Sequence, residues 1–282
     1  MDKVAVIGAG TMGHGIAQVC AMAGSEVMLC DASPEALARG LAHVQANLDK
    51  GVAKGKVDAQ AAEDALARLS GTTELSIAVD DADLVIEAVP ETLELKQRLF
   101  LAAQEHAPDE AVFATNTSSL SVAGIASVLD DPGRLLGMHF FNPVHIMALL
   151  EVVTAESTRA DVLGAVQAYG ERLGKEVITV KDSPGFATSR LGVCLGMEAI
   201  RMLEEGVASA ADIDKAMVLG YRHPIGPLRL TDLVGLDVRL AIGEYLAQEL
   251  GNNAFKPPAL MRQMVAEGKL GKKTGHGFFD WT

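Results

Sequence analysis

Cysteine is scarce in this sequence: Cys20, Cys30 and Cys194 are the whole supply. The number is odd and no CxxC spacing occurs, which argues against a disulfide framework and against a zinc site. The three read instead as small core residues of a protein kept in a reducing compartment. Cations are also few. Against 37 Asp and Glu there are 24 Lys and Arg, leaving a formal net charge of −13. No Lys/Arg block of the kind a phosphate backbone needs is found, and the negative field repels nucleic acid. An anionic small ligand stays open, because it reads only the local potential. No apolar run approaches the ~20 residues of a membrane span. The start, MDKVAVIG, runs straight into a strand and leaves no apolar stretch or cleavage site for a signal peptide. Internal repeats and low-complexity segments are missing too. These absences predict a cytoplasmic globular protein with no membrane and no nucleic-acid partner.

Apolar residues are plentiful. They make up 49% of 282 residues, enough for one large core or two ordinary ones. Val4 to Ile7 reads as a buried parallel strand, and Gly8-Ala9-Gly10-Thr11-Met12-Gly13 follows at once. Gly15 to Met22 reads as a mostly apolar helix ending at Gly24, and Val27 to Cys30 as a second strand closed by Asp31. A GxGxxG alone says little. Placed between strand and helix, with an Asp eighteen positions after Gly13, it reads as a dinucleotide site. Gly8 permits the tight turn, Gly10 lets the backbone approach a pyrophosphate, and Gly13 lets helix and strand pack closely. Asp31 would accept hydrogen bonds from the adenosine ribose and repel a 2′-phosphate, favouring NAD over NADP. The competing reading is a structural turn with Asp31 capping the next helix.

Ser33-Pro34-Glu35 carries the marks of a helix start, and that helix runs to about Gly51. Lys50, Lys54 and Lys56 cluster near its end, either complementing a helix C-terminus or meeting an anion. Ala59 to Leu69 and Leu93 to Ala107 read as helices, with the strand DLVIEAVP between them. AVFATNTSSLS is a strand entering a polar turn, LLGMHFFNP and LLEVV are strands, Arg159 to Leu173 is a helix, and KEVITV is a strand. Strands alternating with helices predict an α/β fold with a doubly wound, mostly parallel sheet. After Val180 the pattern changes. KDSPGF reads as a hinge, and from Phe186 onward the periodicity is helical, which places the domain boundary near Asp182–Pro184, with domains 1–183 and 184–282. Phe186 to Leu203 reads as apolar around most of its circumference, followed by helices over Ala210 to Leu219, Thr231 to Leu250 and Ala259 to Glu267.

A nicotinamide enzyme that oxidises an alcohol needs a base for the hydroxyl proton. Among seven histidines only His139, in GMHFFNP, sits just after an apolar strand, at the end where open α/β sheets bind ligands. Glu151 lies twelve residues on in ALLEVV, where an unpartnered acid would be expensive. The two together would make an oriented base; separately they are a core histidine and a structural acid. Ser118 and Ser119 follow the strand AVFATNT and can donate to a substrate oxygen, although turn serines also cap helices.

At these residues the chain resembles the short-chain 3-hydroxyacyl-CoA dehydrogenases, a family that includes bacterial 3-hydroxybutyryl-CoA dehydrogenases. The likeness extends over essentially the whole length and rests on GAGTMGHGIAQV, NTSSLS, GMHFFNPV, DSPGF, HPIGPLRLTDLVGLD and GKLGKKTGHGFFDW. The resemblance implies NAD-dependent, reversible oxidation of an (S)-3-hydroxyacyl-CoA to the 3-ketoacyl-CoA. It also implies an N-terminal Rossmann-like domain and an all-α C-terminal domain that forms a homodimer. Residue by residue, it puts catalysis on His139 and Glu151 and the substrate-oxygen contact on Ser118. The cofactor falls on Gly8, Gly10, Thr11, Met12, Gly13, Asp31, Glu91, Lys96, Asn142 and Lys273, and coenzyme A on Asn47 and Lys54. The family's PGFxxNR reads PGFATSR here, so Ser189 stands where an asparagine helps hold the substrate, and it joins the catalytic candidates. His145 and Ala148 replace a proline and a lysine, leaving acyl specificity open. Two other functions stay in view: a dehydrogenase of a free hydroxy or sugar acid, and a non-catalytic, crystallin-like NAD-binding protein.

Overall fold

The computed structural model describes residues 1–281, and the chain divides into two compact units, Met1–Asp182 and a second beginning at Ser183. The first unit runs β1 (Lys3–Ile7), α1 (Gly13–Met22), β2 (Glu26–Cys30), α2 (Pro34–Ala53), α3 (Ala59–Ala67), β3 (Leu69–Thr72), α4 (Leu75–Val79) and β4 (Leu84–Glu87). It continues with α5 (Leu93–Gln104), β5 (Val112–Thr115), α6 (Val122–Ala126), β6 (Leu135–Phe140), β7 (Leu149–Thr154), α7 (Ala160–Arg172) and β8 (Glu176–Lys181). All eight strands form one sheet in the order β3-β2-β1-β4-β5-β6-β7-β8. Every neighbouring pair is parallel except β6 and β7. The order reverses at β1, which pairs with β2 on one side and β4 on the other, and such a switch opens a crevice at the strands' carboxyl ends.

Burial explains the strand sequences. β4, β5 and β6 are buried at every position and are apolar but for Glu87, Thr115 and His139 toward their carboxyl ends, as strands covered on both faces must largely be. The edge strand β3, Leu-Ser-Gly-Thr, has no buried residue and a single large apolar side chain. Its composition carries no strand signal, so the helix expected over Ala59–Leu69 in fact stops at Ala67 and a strand follows. The short helices α4 and α6 are likewise additions to the expected pattern. At α2 the start is as expected, with the Ser33 hydroxyl accepting from the Ala36 N–H and Pro34 in the first turn.

The second unit is helical: α8 (Thr188–Glu204), α9 (Ala210–Gly220), α10 (Pro227–Val234), α11 (Leu236–Leu250) and α12 (Ala259–Ala266). Val193, Met197, Ile200, Leu228, Leu236 and Leu246 form the centre of its core. Three expectations need correction. The helix expected from Phe186 begins at Thr188, because Gly185 and Phe186 take positive φ values of 75° and 49°, outside the helical region. Nor is most of its circumference buried within this unit: Val193, Met197 and Ile200 are buried, whereas Arg190, Leu191 and Glu198 are exposed. The helix expected over Thr231–Leu250 is broken at Gly235, whose φ of 105° no helix contains, and becomes α10 and α11.

A single buried carboxylate ties down the C-terminal segment. Asp232 on α10 accepts from the N–H groups of Phe278 and Phe279 and from the indole Nε1 of Trp281, all at 2.9 Å. Gly271 and Gly277 press against the same residue, where any side chain would collide with it. Asp232→Asn would turn an amide NH2 toward at least one of these donors and cost about 1–3 kcal/mol. The expected result is a lower urea midpoint read by fluorescence of Trp281, the sole tryptophan. An unshifted midpoint would remove Asp232 from this role.

Candidate active site

The turn between β1 and α1 uses its three glycines for three different reasons. Gly8 has φ 101°, and a Cβ there would lie 2.7 Å from the Ala88 carbonyl oxygen on the neighbouring crossover. A Cβ on Gly13 would collide with the Gly8 carbonyl itself, so helix and turn touch backbone to backbone. A Cβ on Gly10 would meet nothing within 4 Å. Gly10 is bare toward open space, as a backbone approached by a ligand must be. Helix α1 starts beside it with no capping side chain, so its positive N-terminal end faces the turn without a side-chain acceptor. Asp31, at the end of β2, accepts the Ala9 N–H at 2.8 Å and the Ser33 N–H at 2.9 Å. Ser33, not Asp31, caps α2; each Asp31 oxygen keeps a lone pair for a ribose hydroxyl. Gly8, Gly10, Thr11, Met12 and Asp31 line one cleft of about 770 Å³, together with Arg98 of α5. That is the size of a pocket for a whole nucleotide cofactor.

On the same sheet, β6 and β7 pair so that His139 stands directly opposite Glu151. Their side chains share a face, and His139 Nδ1 lies 2.6 Å from Glu151 Oε2. Glu151 is fully buried and His139 nearly so. The carboxylate can only accept, so Nδ1 donates and Nε2 is the ring nitrogen that carries the basic lone pair. The imidazole also packs on Phe141, their ring centroids 4.4 Å apart. Two expected residues, set apart in the sequence, are here one device.

Ser118 is held from behind by Glu91, whose Oε1 accepts the Ser118 N–H at 2.8 Å, its hydroxyl at 3.3 Å and the Thr117 hydroxyl at 2.6 Å. The other Glu91 oxygen lies 3.2 Å from the ammonium of Lys96, which is almost completely buried. Lys96 in turn reaches Glu87 at 2.7 Å, and Glu87 also accepts from the Val89 N–H and the Thr115 hydroxyl. Burial pushes the Glu87 carboxyl above the usual range despite Lys96. Burial also opposes ionisation of Glu91, but Lys96, Thr117 and Ser118 outweigh it and hold its carboxyl low. Glu87, Thr115 and Thr117 were not anticipated. The available signal was an acid closing the otherwise apolar strand LVIE, with a lysine nine residues on. Asn116 was missed as well; its Oδ1 accepts the Phe140 N–H at 2.9 Å, fastening β5's end to the residue beside His139.

A family model described as the NAD binding domain of 3-hydroxyacyl-CoA dehydrogenase matches residues 3–183, and one for its C-terminal domain matches residues 185–281. The chain belongs to the 3-hydroxyacyl-CoA dehydrogenase family. It is 40% identical to a probable 3-hydroxybutyryl-CoA dehydrogenase of Bacillus subtilis, covering 100% of this chain and 98% of that one. It is 42% identical to the 3-hydroxyadipyl-CoA dehydrogenase of Escherichia coli, covering 100% of this chain and 59% of that one. Among solved structures, the (S)-3-hydroxybutyryl-CoA dehydrogenase PaaH1 from Ralstonia eutropha superposes with a TM-score of 0.95 at 42% identity, covering 100% and 99% of the two chains. The first unit is thus the NAD-binding domain of a 3-hydroxyacyl-CoA dehydrogenase, and its glycine turn and cleft suit that cofactor.

The remaining candidates of this dehydrogenase are placed as follows. Asn142 is exposed immediately beyond β6. Asn47 on α2 donates to Gln18 of α1 at 3.2 Å, and Lys54 is exposed where α2 ends. Ser189 and Lys273 belong to the second unit. Ser189 lies in the first turn of α8, and Lys273 is paired with both oxygens of Asp237, at 2.5 and 2.6 Å. Among the described residues no group of three or more His, Cys, Asp or Glu is arranged to hold a metal.

The glycine geometry separates folding from binding. Gly13→Ala should destabilise the fold by about 3 kcal/mol or more, because backbone cannot yield as a side chain can. Gly10→Ala should melt at the wild-type temperature yet bind NADH about tenfold more weakly. Thermal melts and NADH fluorescence titrations check both, and equal NADH affinity in Gly10→Ala would mean that the cofactor does not cross Gly10.

Proposed function

We propose that this chain oxidises (S)-3-hydroxyacyl-CoA thioesters to 3-ketoacyl-CoA reversibly with NAD, with 3-hydroxybutyryl-CoA or another short acyl chain as substrate. The observation that carries the reading is the buried His139–Glu151 pair at 2.6 Å on the sheet that also bears the nucleotide cleft. When bound, NAD supplies the hydride acceptor; Gly8, Gly10, Thr11, Met12, Gly13 and Asp31 hold it, with Glu91, Lys96, Asn142 and Lys273 as further candidates. Nε2 of His139 takes the proton of the substrate hydroxyl as the hydride leaves the same carbon, so that carbon and oxygen become a carbonyl. Glu151 keeps the ring in the required tautomer and stabilises the imidazolium that forms. Ser118, its backbone fixed by Glu91, donates to the substrate oxygen. Asn47 and Lys54 contact coenzyme A.

A non-catalytic NAD-binding protein has no use for a base whose orienter is buried with it, and this favours an enzyme. Two of the three cysteines fit a structural role in a reducing cytoplasm, burial pushing the thiols of Cys20 and Cys30 up to about 12 and about 11. Among the described residues no helix is long and apolar enough to cross a membrane. Leu191, Leu219 and Tyr221 in the helical unit are each more than 70% exposed, and this supports homodimerisation through that unit.

Oxidation of NADH with acetoacetyl-CoA, compared with free acetoacetate, tests the reaction; turnover of the free acid alone would overturn the thioester assignment. His139→Ala should lower kcat by roughly 10²–10⁴-fold with little change in NADH affinity. Ser189→Ala should cost far less, since one hydrogen bond to an uncharged partner is worth about 0.5–1.5 kcal/mol. Equal losses in the two variants would make Ser189 a primary catalytic group. Sedimentation equilibrium should give twice the chain mass, and a monomer mass at all concentrations would refute the dimer.

A further inference from the structure

A second, smaller cavity of about 220 Å³ lies on the α2 side of the glycine turn, bounded by Gly10, Thr11, His14, Ala36, Arg39 and His43. Its origin is a contact at Gly40, where a Cβ would lie 2.8 Å from both the Cβ and the carbonyl oxygen of Ala9. Helix α2 therefore rests directly on the turn. That contact carries Arg39 and His43, on either side of Gly40 in the helix, to the cavity's rim. His14 faces them from the first turn of α1, its ring centroid 5.1 Å from that of His43. His14 Nδ1 lies 2.8 Å from the Gly10 carbonyl oxygen, which can only accept, so Nδ1 donates and Nε2 is left for a ligand.

Arg39 sets a fixed positive charge at the rim of this cavity, in a chain of net charge −13. His145 lies near this corner too: burial, and then its neighbours His14, Lys175 and Lys50, lower its proton affinity. Two acids are near. Glu35 lies one turn before Arg39 and interacts with it, and Asp31 is held by the Ala9 and Ser33 N–H groups. The cavity is smaller than the ~300–1,000 Å³ of whole-ligand pockets, so it suits one group of a larger ligand. A guanidinium and two imidazoles beside a helix N-terminus suit a phosphate.

Along α2, Arg39, His43, Asn47 and Lys54 fall at intervals of four, four and seven residues, all within about 80° of one helix face. This row joins the cavity to the two residues assigned above to coenzyme A. We propose that the cavity formed by His14, Arg39 and His43 is a phosphate site that takes a phosphate of the substrate's coenzyme A moiety, an inference resting on the acyl-CoA reading.

The test is an Arg39→Gln/His43→Gln double variant, both side chains being exposed and so removable without harm to the core. Acetoacetyl-CoA is compared with acetoacetyl-pantetheine, which keeps the thioester but carries no phosphate. The KM for acetoacetyl-CoA should rise roughly threefold to tenfold at unchanged kcat, the size expected for exposed charge-assisted hydrogen bonds. The KM values for acetoacetyl-pantetheine and NADH should not move. A rise for NADH alone would assign the phosphate to the dinucleotide and overturn the proposal, as would equal rises for both thioesters or no rise at all. If the wild type reduces neither thioester, the acyl-CoA reading fails separately. Calorimetric titration with adenosine 3′,5′-bisphosphate then decides the cavity: binding by the wild type that the variant loses supports it, and no binding overturns it.

Discussion

Between β6 and β7 the sheet changes direction, and residues of an antiparallel pair face one another squarely across the ladder. This brings His139 and Glu151, twelve positions apart in the chain, to 2.6 Å. A buried carboxylate without a partner would be expelled or protonated, and the imidazole supplies the partner. The pairing register is therefore fixed twice, by the backbone ladder and by the cost of separating the two side chains. Asn116 adds a third tie, holding Phe140 to the end of β5. What the candidate base can do depends on this one reversal in an otherwise parallel sheet.

A second buried charge system organises the loops at the carboxyl ends of β4 and β5. Lys96 sits between Glu87 and Glu91, and the two acids collect the hydroxyls of Thr115, Thr117 and Ser118. Every member has a partner, and among the described residues no buried side-chain nitrogen or oxygen lacks one. A fully satisfied network in a low-dielectric site is rigid, because each displacement leaves a charge unpaired. Its consequence is local: the turn that carries Ser118 is held by an anion which is itself held by a buried cation.

Much of this was legible in the residues. The turn Gly8 to Gly13 announced its own geometry, since only glycine tolerates the close contacts found at Gly8 and Gly13. β1, β4 and β6 were visible as apolar runs, and the Ser33-Pro34 start of α2 was visible from its capping chemistry. Where the reading failed, the local signal was weak or opposed. β3 is an edge strand with nothing buried, so it leaves no apolar signature. Gly235 lies inside a continuous helical pattern, and only its positive φ separates α10 from α11.

The sequence by itself determined the local chemistry: which turn is tight, which strand is buried, and which residues can donate, accept or ionise. These follow from side-chain size, backbone freedom and hydrophobic period, all of which act over a few neighbouring residues. Tertiary structure alone decided who meets whom. That Glu87 answers Lys96, that Asn116 reaches Phe140, and that His14 and His43 share one cavity are results of strand order and helix approach. Such partnerships are set by the packing of segments distant in the chain, where burial makes each charge or donor seek whichever complement the fold brings near.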